Sequence, residues 1–257
     1  MYEFLSLEHH GSVGLIRLDR PKMNVLNRAM QEEIRQVSLE VDANPDVRCV
    51  IFYGGEKSFA AGADIKEMIN WTKADALRET PGLQDCFNAV ANISKPTIAA
   101  ITGYALGGGF ELALSCDLRI ASSDSHVGLP EVLLGVIPGA GGTQRLTRLV
   151  GTAKAKDLIF TGRFVPASEA LTMGIVNEVV TPEELLNRAL ALGTQLALGS
   201  TSALRAAKRA IDEGSAQDLT SGLKTEAKLF AELFGSRDQQ IGMTSFVENG
   251  PGKADFS

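Results

Sequence analysis

The stretch KPTIAAITGYALGGGFELALSCDLRIAS, residues 95–122, changes character three times. Thr97–Ile101 is a short apolar run and reads as a strand. Gly103 and then Gly107–Gly108–Gly109 interrupt it. Residues from about 108 to 115 read as a helix, and Leu118–Ala121 as the next strand. Strand, glycine turn and helix in succession are the unit of an α/β core.

The same unit recurs on either side. Residues 4–18, FLSLEHHGSVGLIRL, read as two short alternating strands around a turn at Gly11, and Arg20–Pro21 ends the pair. Leu26, Met30, Ile34, Val37 and Val41 recur at helical spacing, which predicts an amphipathic helix over 26–43 that Asn44–Pro45 stops. Val47–Phe52 reads as a strand, and FAAGADIKEM (59–68) as a small-residue loop entering a helix. Residues 129–148 begin irregularly, with Pro130, Pro138 and the GAGG run, and turn helical from Thr143. Residues 152–161 and 167–173 read as helices and Ile175–Val180 as a strand. From Pro182 to Phe246 the pattern is helical almost throughout, with Ala203, Ala206, Ala207 and Ala210 on one small-residue face. The expectation is an α/β core over 1–195 followed by a helical region over 196–257 in the same domain. The only composition shift between them is a weak one at ALGSTS.

Composition narrows the function. The 257 residues are 44% hydrophobic and 22% charged, enough for a substantial core. A formal charge of −6 gives no support to nucleic-acid or anionic-membrane binding. No apolar run has the length of a membrane span. MYEFLSLEHHG has neither the basic-then-apolar order of a signal peptide nor the Arg-rich character of a transit peptide. Cys49, Cys86 and Cys116 are too few and too scattered for a disulfide framework or a zinc site, which suits a reducing cytoplasm. His9 and His10 fall at the expected hairpin turn, and no metal site is expected.

Two glutamates stand apart. Counting histidine as neutral, Glu111 is the only formal charge between Lys95 and Asp117, and Glu131 the only one between Asp124 and Arg145. Each lies in an apolar, glycine-rich stretch, where a carboxylate out of water is costly unless it is used or partnered. Two such groups make a candidate acid–base pair. Each also has an ordinary reading: Glu111 near a helix start is favoured by the macrodipole, and Pro130–Glu131 resembles the first helical positions. The glycine run likewise admits two readings. It exposes amides able to hold an anion or oxyanion, or it allows close helix–strand packing. YALGGGFE and GAGGTQ do not match the dinucleotide fingerprint, and no phosphate-loop motif occurs. The AAGAD loop sets small residues and free amides beside Asp64, Lys66 and Glu67. Lys22, Lys57 and Lys66 are candidates for phosphate contact against a reading as solvated surface.

Taken together, RPKMNVLN (20–27), SFAAGADIKEM (58–68), residues 95–122, GLPEVLLGVIPGAGGTQRLTRLVG (128–151) and LTMGIVNEVV (171–180) resemble the enoyl-CoA hydratase/isomerase (crotonase) family, in order and over essentially the whole chain. The resemblance implies a crotonase-like spiral of repeated ββα units with a C-terminal helical region that forms homotrimers or homohexamers. It implies an acyl-CoA substrate, with no cofactor beyond the coenzyme A of that substrate. By motif position, the backbone amides of Ala63 and Gly108 would form an oxyanion hole for the thioester carbonyl. Glu111 and Glu131 occupy the positions of the two hydratase glutamates, which implies Glu111 as base toward water and Glu131 as acid toward C2. The carrier would lie along Met23–Val25 and the Ala61–Ile65 backbone, so Lys22, Met23, Val25, Ala61, Asp64, Ile65 and Lys66 are the expected contacts. The acyl tail would pass toward Met68, Trp71 and the following helix, up to about Val90. Near the C-terminus Ile241–Gly242 and Asn249–Gly250 depart from the family's pattern, with Lys253 a candidate replacement for its basic residue. The leading expectation is reversible hydration of 2-enoyl-CoA to 3-hydroxyacyl-CoA. The alternatives are an enoyl-CoA isomerase or another acyl-CoA enzyme of the family, and more remotely an RNA-binding member, which the negative charge disfavours.

Overall fold

The computed structural model describes residues 2–256. It begins with an antiparallel hairpin of β1 (Leu5–His10) and β2 (Val13–Leu18), turned at Gly11, whose φ is +60°. Then come α1 (Arg28–Ala43), β3 (Cys49–Tyr53), the short α2 (Ile65–Met68) and α3 (Lys73–Ala91). The central stretch is β4 (Thr97–Ile101), β5 (Tyr104–Leu106), α4 (Gly108–Ser115), β6 (Leu118–Ser122) and β7 (His126–Gly128). A 3₁₀ helix at Pro130–Leu134 leads to α5 (Gly142–Val150) and α6 (Thr152–Thr161). The chain ends with β8 (Val165–Pro166), α7 (Ala167–Met173), β9 (Glu178–Val180), α8 (Leu185–Ala197), α9 (Thr201–Ser215), α10 (Leu219–Glu232) and α11 (Arg237–Asn249).

Two sheets organise these elements. The larger runs β1-β2-β3-β4-β6-β9, parallel after the opening hairpin. The smaller runs β5-β7-β8, and Ala60 bridges Ala105 of β5 to continue it. The chain thus winds as a spiral. One turn places β3 in the large sheet, Ala60 beside the small one, then α2 and α3. The next places β4, β5 and α4, and the third β6, β7 and the helices up to α5.

Both faces of the large sheet are covered, which explains why its strands read as continuous apolar runs. In β3, Val50 and Phe52 point into the main core with Met30, Ile34 and Val37 of α1, whereas Cys49, Ile51 and Tyr53 point to the opposite face. That second face is closed by α8 through Leu185, Ala189 and Ala197. Beyond it, α9 and α11 bury no residue and α10 buries only Leu229. Among the described residues no helix is long and apolar enough to cross a membrane.

The sequence reading and the structure differ in places. The first helix begins at Arg28, capped by Asn27, because Leu26 is drawn into a parallel bridge with Ala63. The strand expected over Ile175–Val180 is confined to Glu178–Val180, since Ile175 and Val176 donate their N–H groups back to Ala170. The strands β5, β7 and β8 were not foreseen: they are two or three residues long, too short to show a period.

Candidate active site

The site is assembled from three loops. Asn24, buried and at φ +51°, ties the first to the second. Its Nδ2 donates to the carbonyls of Gly54, Ser58 and Phe59 at 2.7, 3.1 and 3.1 Å, and its Oδ1 accepts from the N–H of Arg20 at 2.9 Å. Residues 23–26 then run beside 61–64. Ala61 donates to Met23, Leu26 donates to Gly62, and Asp64 donates to Leu26, at 2.8–3.2 Å.

This pairing aims the Ala63 amide. The Gly62 carbonyl points at Leu26, and in a trans peptide the following N–H points the opposite way, so Ala63 N–H faces away from the 23–26 segment. The amide of Gly108 is the first of α4. Gly107 O accepts from Glu111 N at 2.9 Å, so Gly108 N–H projects from the helix end, where no intrahelical carbonyl can reach it. A Cβ on Gly108 would stand 3.5 Å from Ala63 N, which places the two amides side by side.

Each glycine of the run has its own reason. A Cβ on Gly107, at φ +51°, would stand 2.9 Å from Glu131 Oε1. One on Gly109 would sit 2.0 Å from the Ala60 carbonyl oxygen, so close packing of helix on strand demands glycine there. The close-packing reading of the run thus holds at Gly109, while Gly107 gives room to the Glu131 carboxylate.

Glu111 lies in the first turn of α4 with 2% exposure. Its Oε1 accepts the N–H groups of Ala140 and Gly142 at 2.8 and 2.7 Å. Burial pushes its pKa up; the two amides and the nearby Arg145 oppose that rise. Glu131, in the 3₁₀ helix, is held differently. Its Oε2 is buried with no hydrogen-bond partner among the described residues. Burial, then the charge of Glu111, pushes its pKa up to about 7. One carboxylate oxygen thus accepts two amides, whereas Glu131 is eased only by its own backbone N–H, an arrangement that favours different protonation of the two.

The other expected residues fall as follows. Met23, Val25 and Ala61 lie in the paired segments, Ile65 follows them as the exposed first residue of α2, and Lys22 and Lys66 are exposed near them. Asp64 is occupied within the protein: its Oδ2 pairs with Arg20 at 2.9 Å and its Oδ1 caps α2 through Lys66 N at 3.2 Å. Met68 and Trp71 line a cavity that reaches Ala63. Three functional candidates were not read from the sequence: Asn24, the amides of Ala140 and Gly142, and Arg145. Arg145 is one turn beyond Gly142; its Nη2 donates to Asn88 Oδ1 at 2.9 Å, while its Nε is buried and unpartnered among the described residues. The isolation of Glu111 in sequence was the available hint that backbone groups must serve it.

Fold and site together define a class: a spiral α/β protein with two outward-aimed amides beside two carboxylates of unlike environment, one buried and one half-buried. A family model described as enoyl-CoA hydratase/isomerase matches residues 8–256, and the chain belongs to that family. It is similar to a probable enoyl-CoA hydratase of Mycobacterium tuberculosis, 45% identical over 248 residues that cover 96% of both chains. It is similar also to a short-chain-enoyl-CoA hydratase of Clostridium acetobutylicum, 43% identical over 244 residues and 94% of both chains. Among solved structures, enoyl-CoA hydratase subunit I of Geobacillus kaustophilus matches with a TM-score of 0.95 at 42% identity, covering 100% of this chain and 98% of that one.

Proposed function

We propose that the chain is an enoyl-CoA hydratase, which adds water reversibly across the 2,3 double bond of 2-enoyl-CoA thioesters. The observation that carries this is the unlike pair: Glu111 clamped by two amides and Glu131 with a buried oxygen that no donor meets. The hydratase names of similar proteins support it.

In this reading the thioester oxygen accepts the N–H groups of Ala63 and Gly108. Charge that develops there as C3 is attacked is stabilised by about 3–4 kcal/mol per donor. Glu111, whose amide partners favour its ionised form against burial, takes a proton from water as the oxygen bonds to C3. Glu131, the better proton holder, gives its proton to C2 as the enolate collapses. Water's hydrogen and hydroxyl are thereby divided between C2 and C3, and a proton passing from Glu111 to Glu131 through solvent resets the site. The chemistry balances with coenzyme A as part of the substrate and no further group.

Lys22, Met23, Val25, Ala61, Ile65 and Lys66 are proposed to line the carrier's path. Asp64 acts there through Arg20 and α2 rather than by its own carboxylate. Residues 1–195 form the catalytic core and 196–257 the association region of one domain. Exposed Leu223, Phe230, Phe234, Phe246 and Val247 on and beside α10 and α11 support a homotrimer or homohexamer. A cytoplasmic location accords with three buried free cysteines.

An isomerase would need a single carboxylate to carry a proton between C2 and C4, and leaves the second glutamate of the site unused. Crotonyl-CoA should lose its conjugated-enoyl absorbance with purified protein, and a 3-enoyl-CoA should gain little. Failure to hydrate any 2-enoyl-CoA overturns the reading.

A further inference from the structure

Arg28, Glu32 and Arg35 recur at helical spacing on α1, and Glu79, Leu83 and Cys86 do so on α3. These two faces oppose one another across a cavity of about 300 Å³. Ala63 and Leu26 are among its lining residues. Leu26 Cδ1 also lies 3.7 Å from where a Cβ on Gly108 would be, so the cavity opens beside the two outward-aimed amides.

The lining is of two kinds. Leu26, Met68, Leu83 and Cys86 make an apolar floor. Above it, Glu79 has a side chain only 12% exposed, and it accepts from Arg28 at 2.7 Å and from Arg78 at 2.8 Å. The Arg28–Glu79 bridge spans the cleft from one helix to the other. Arg35 and Glu32, paired at 2.7 Å, add a second charged boundary.

We propose that the Arg28–Glu79 bridge is a chain-length limit across this cleft, restricting the acyl chain expected there to short ones. The proposal rests on the acyl-CoA reading above. Each methylene laid on apolar floor improves binding roughly fourfold. A methylene that reaches the bridge is instead penalised, because stripping water from a carboxylate and two guanidinium groups costs more than the methylene's own burial returns.

The test is kcat/KM for 2-enoyl-CoA substrates of four, six and ten carbons. The wild type should favour the four-carbon over the ten-carbon chain by at least about tenfold, on the order of two methylenes' worth of binding. In Glu79→Leu the ten-to-four-carbon ratio should rise at least about tenfold. That variant strands no buried charge, since Arg78 keeps Asp75 at 2.8 Å and the Arg28 side chain is 78% exposed. Gly82→Leu is the opposite arm. Gly82 lines the cavity, a Cβ there meets nothing within 4 Å, and leucine suits a helix. It should lower the six-to-four-carbon ratio. A flat chain-length profile in the wild type, or unchanged ratios in both variants, overturns the proposal while crotonyl-CoA is still hydrated. A wild type inert toward crotonyl-CoA overturns the hydratase reading itself.

Discussion

Glu111 Oε1 accepts the Gly142 N–H at 2.7 Å, and a Cβ on Gly142 would stand 3.0 Å from that same oxygen. One residue thus provides both the donor and the clearance. Gly107 gives similar clearance to Glu131, whose Oε1 lies 2.9 Å from where its Cβ would be. Each carboxylate is seated against a glycine of a different segment, so the proposed acid–base pair depends on how three loops are joined.

Gly142→Ala is expected to displace Glu111. The new methyl would also stand 2.9 Å from Leu129 Cδ1 and from Pro138 Cβ. A misplacement of about 1 Å at a reacting group costs on the order of 100-fold in rate, which bounds the effect of the smaller shift required here. The check is kcat with crotonyl-CoA beside a melting curve: a large loss of kcat with the fold retained is predicted.

Glu111→Gln and Glu111→Ala should separate chemistry from structure. Glutamine keeps an oxygen for the Ala140 and Gly142 amides but cannot take the proton, so kcat should drop by about 100- to 10,000-fold at near-native stability. Alanine leaves both buried amides unpaired and should cost about 1–3 kcal/mol more. Equal denaturation midpoints for the two variants would contradict the clamp.

Glu131→Gln should stabilise the protein at alkaline pH. The folded state holds this proton up to about pH 7, against 4.5 for an ordinary glutamate. The folded state therefore binds more protons than the unfolded one between those values, and stability declines as pH rises through that window. Removing the titration should raise stability above pH 7 by about 1–3 kcal/mol, discounted for partial exposure, and should change little below pH 4. Urea unfolding at both pH values measures it, and a gain of equal size at both would contradict the assignment.

Arg145→Met should move the acid limb of the kcat/KM profile. The charge of Arg145 lowers the pKa of Glu111. In the proposed mechanism Glu111 works ionised, so activity should fall as pH drops through its pKa. Losing the cation raises that pKa and shifts the limb to higher pH. A limb that stays in place or moves down removes Arg145 from the electrostatics of the site.

The elements with a long apolar period were legible in the sequence. The hairpin at Gly11, the helix through Met30, Ile34 and Val37, and α4 over Gly108–Ser115 all follow from local pattern. The small sheet was not legible, because Tyr104–Leu106 and His126–Gly128 are defined by their partners rather than by any run of their own. At the site, the isolation of Glu111 and Glu131 signalled burial, and the glycine run signalled close approach. Which glycine serves which neighbour required the fold, since Gly107 answers to Glu131 and Gly109 to Ala60. Asn24 was equally hidden: its four hydrogen bonds reach residues 20, 54, 58 and 59, and only the 20–24 turn is local.

The most direct measurement is hydration of crotonyl-CoA in deuterium oxide, followed by NMR of the product. The account predicts 3-hydroxybutyryl-CoA with a single deuteron at C2, none at C4, and almost no product from Glu111→Gln or Glu131→Gln. Deuterium at C4 without hydration, or full turnover by either variant, would contradict it.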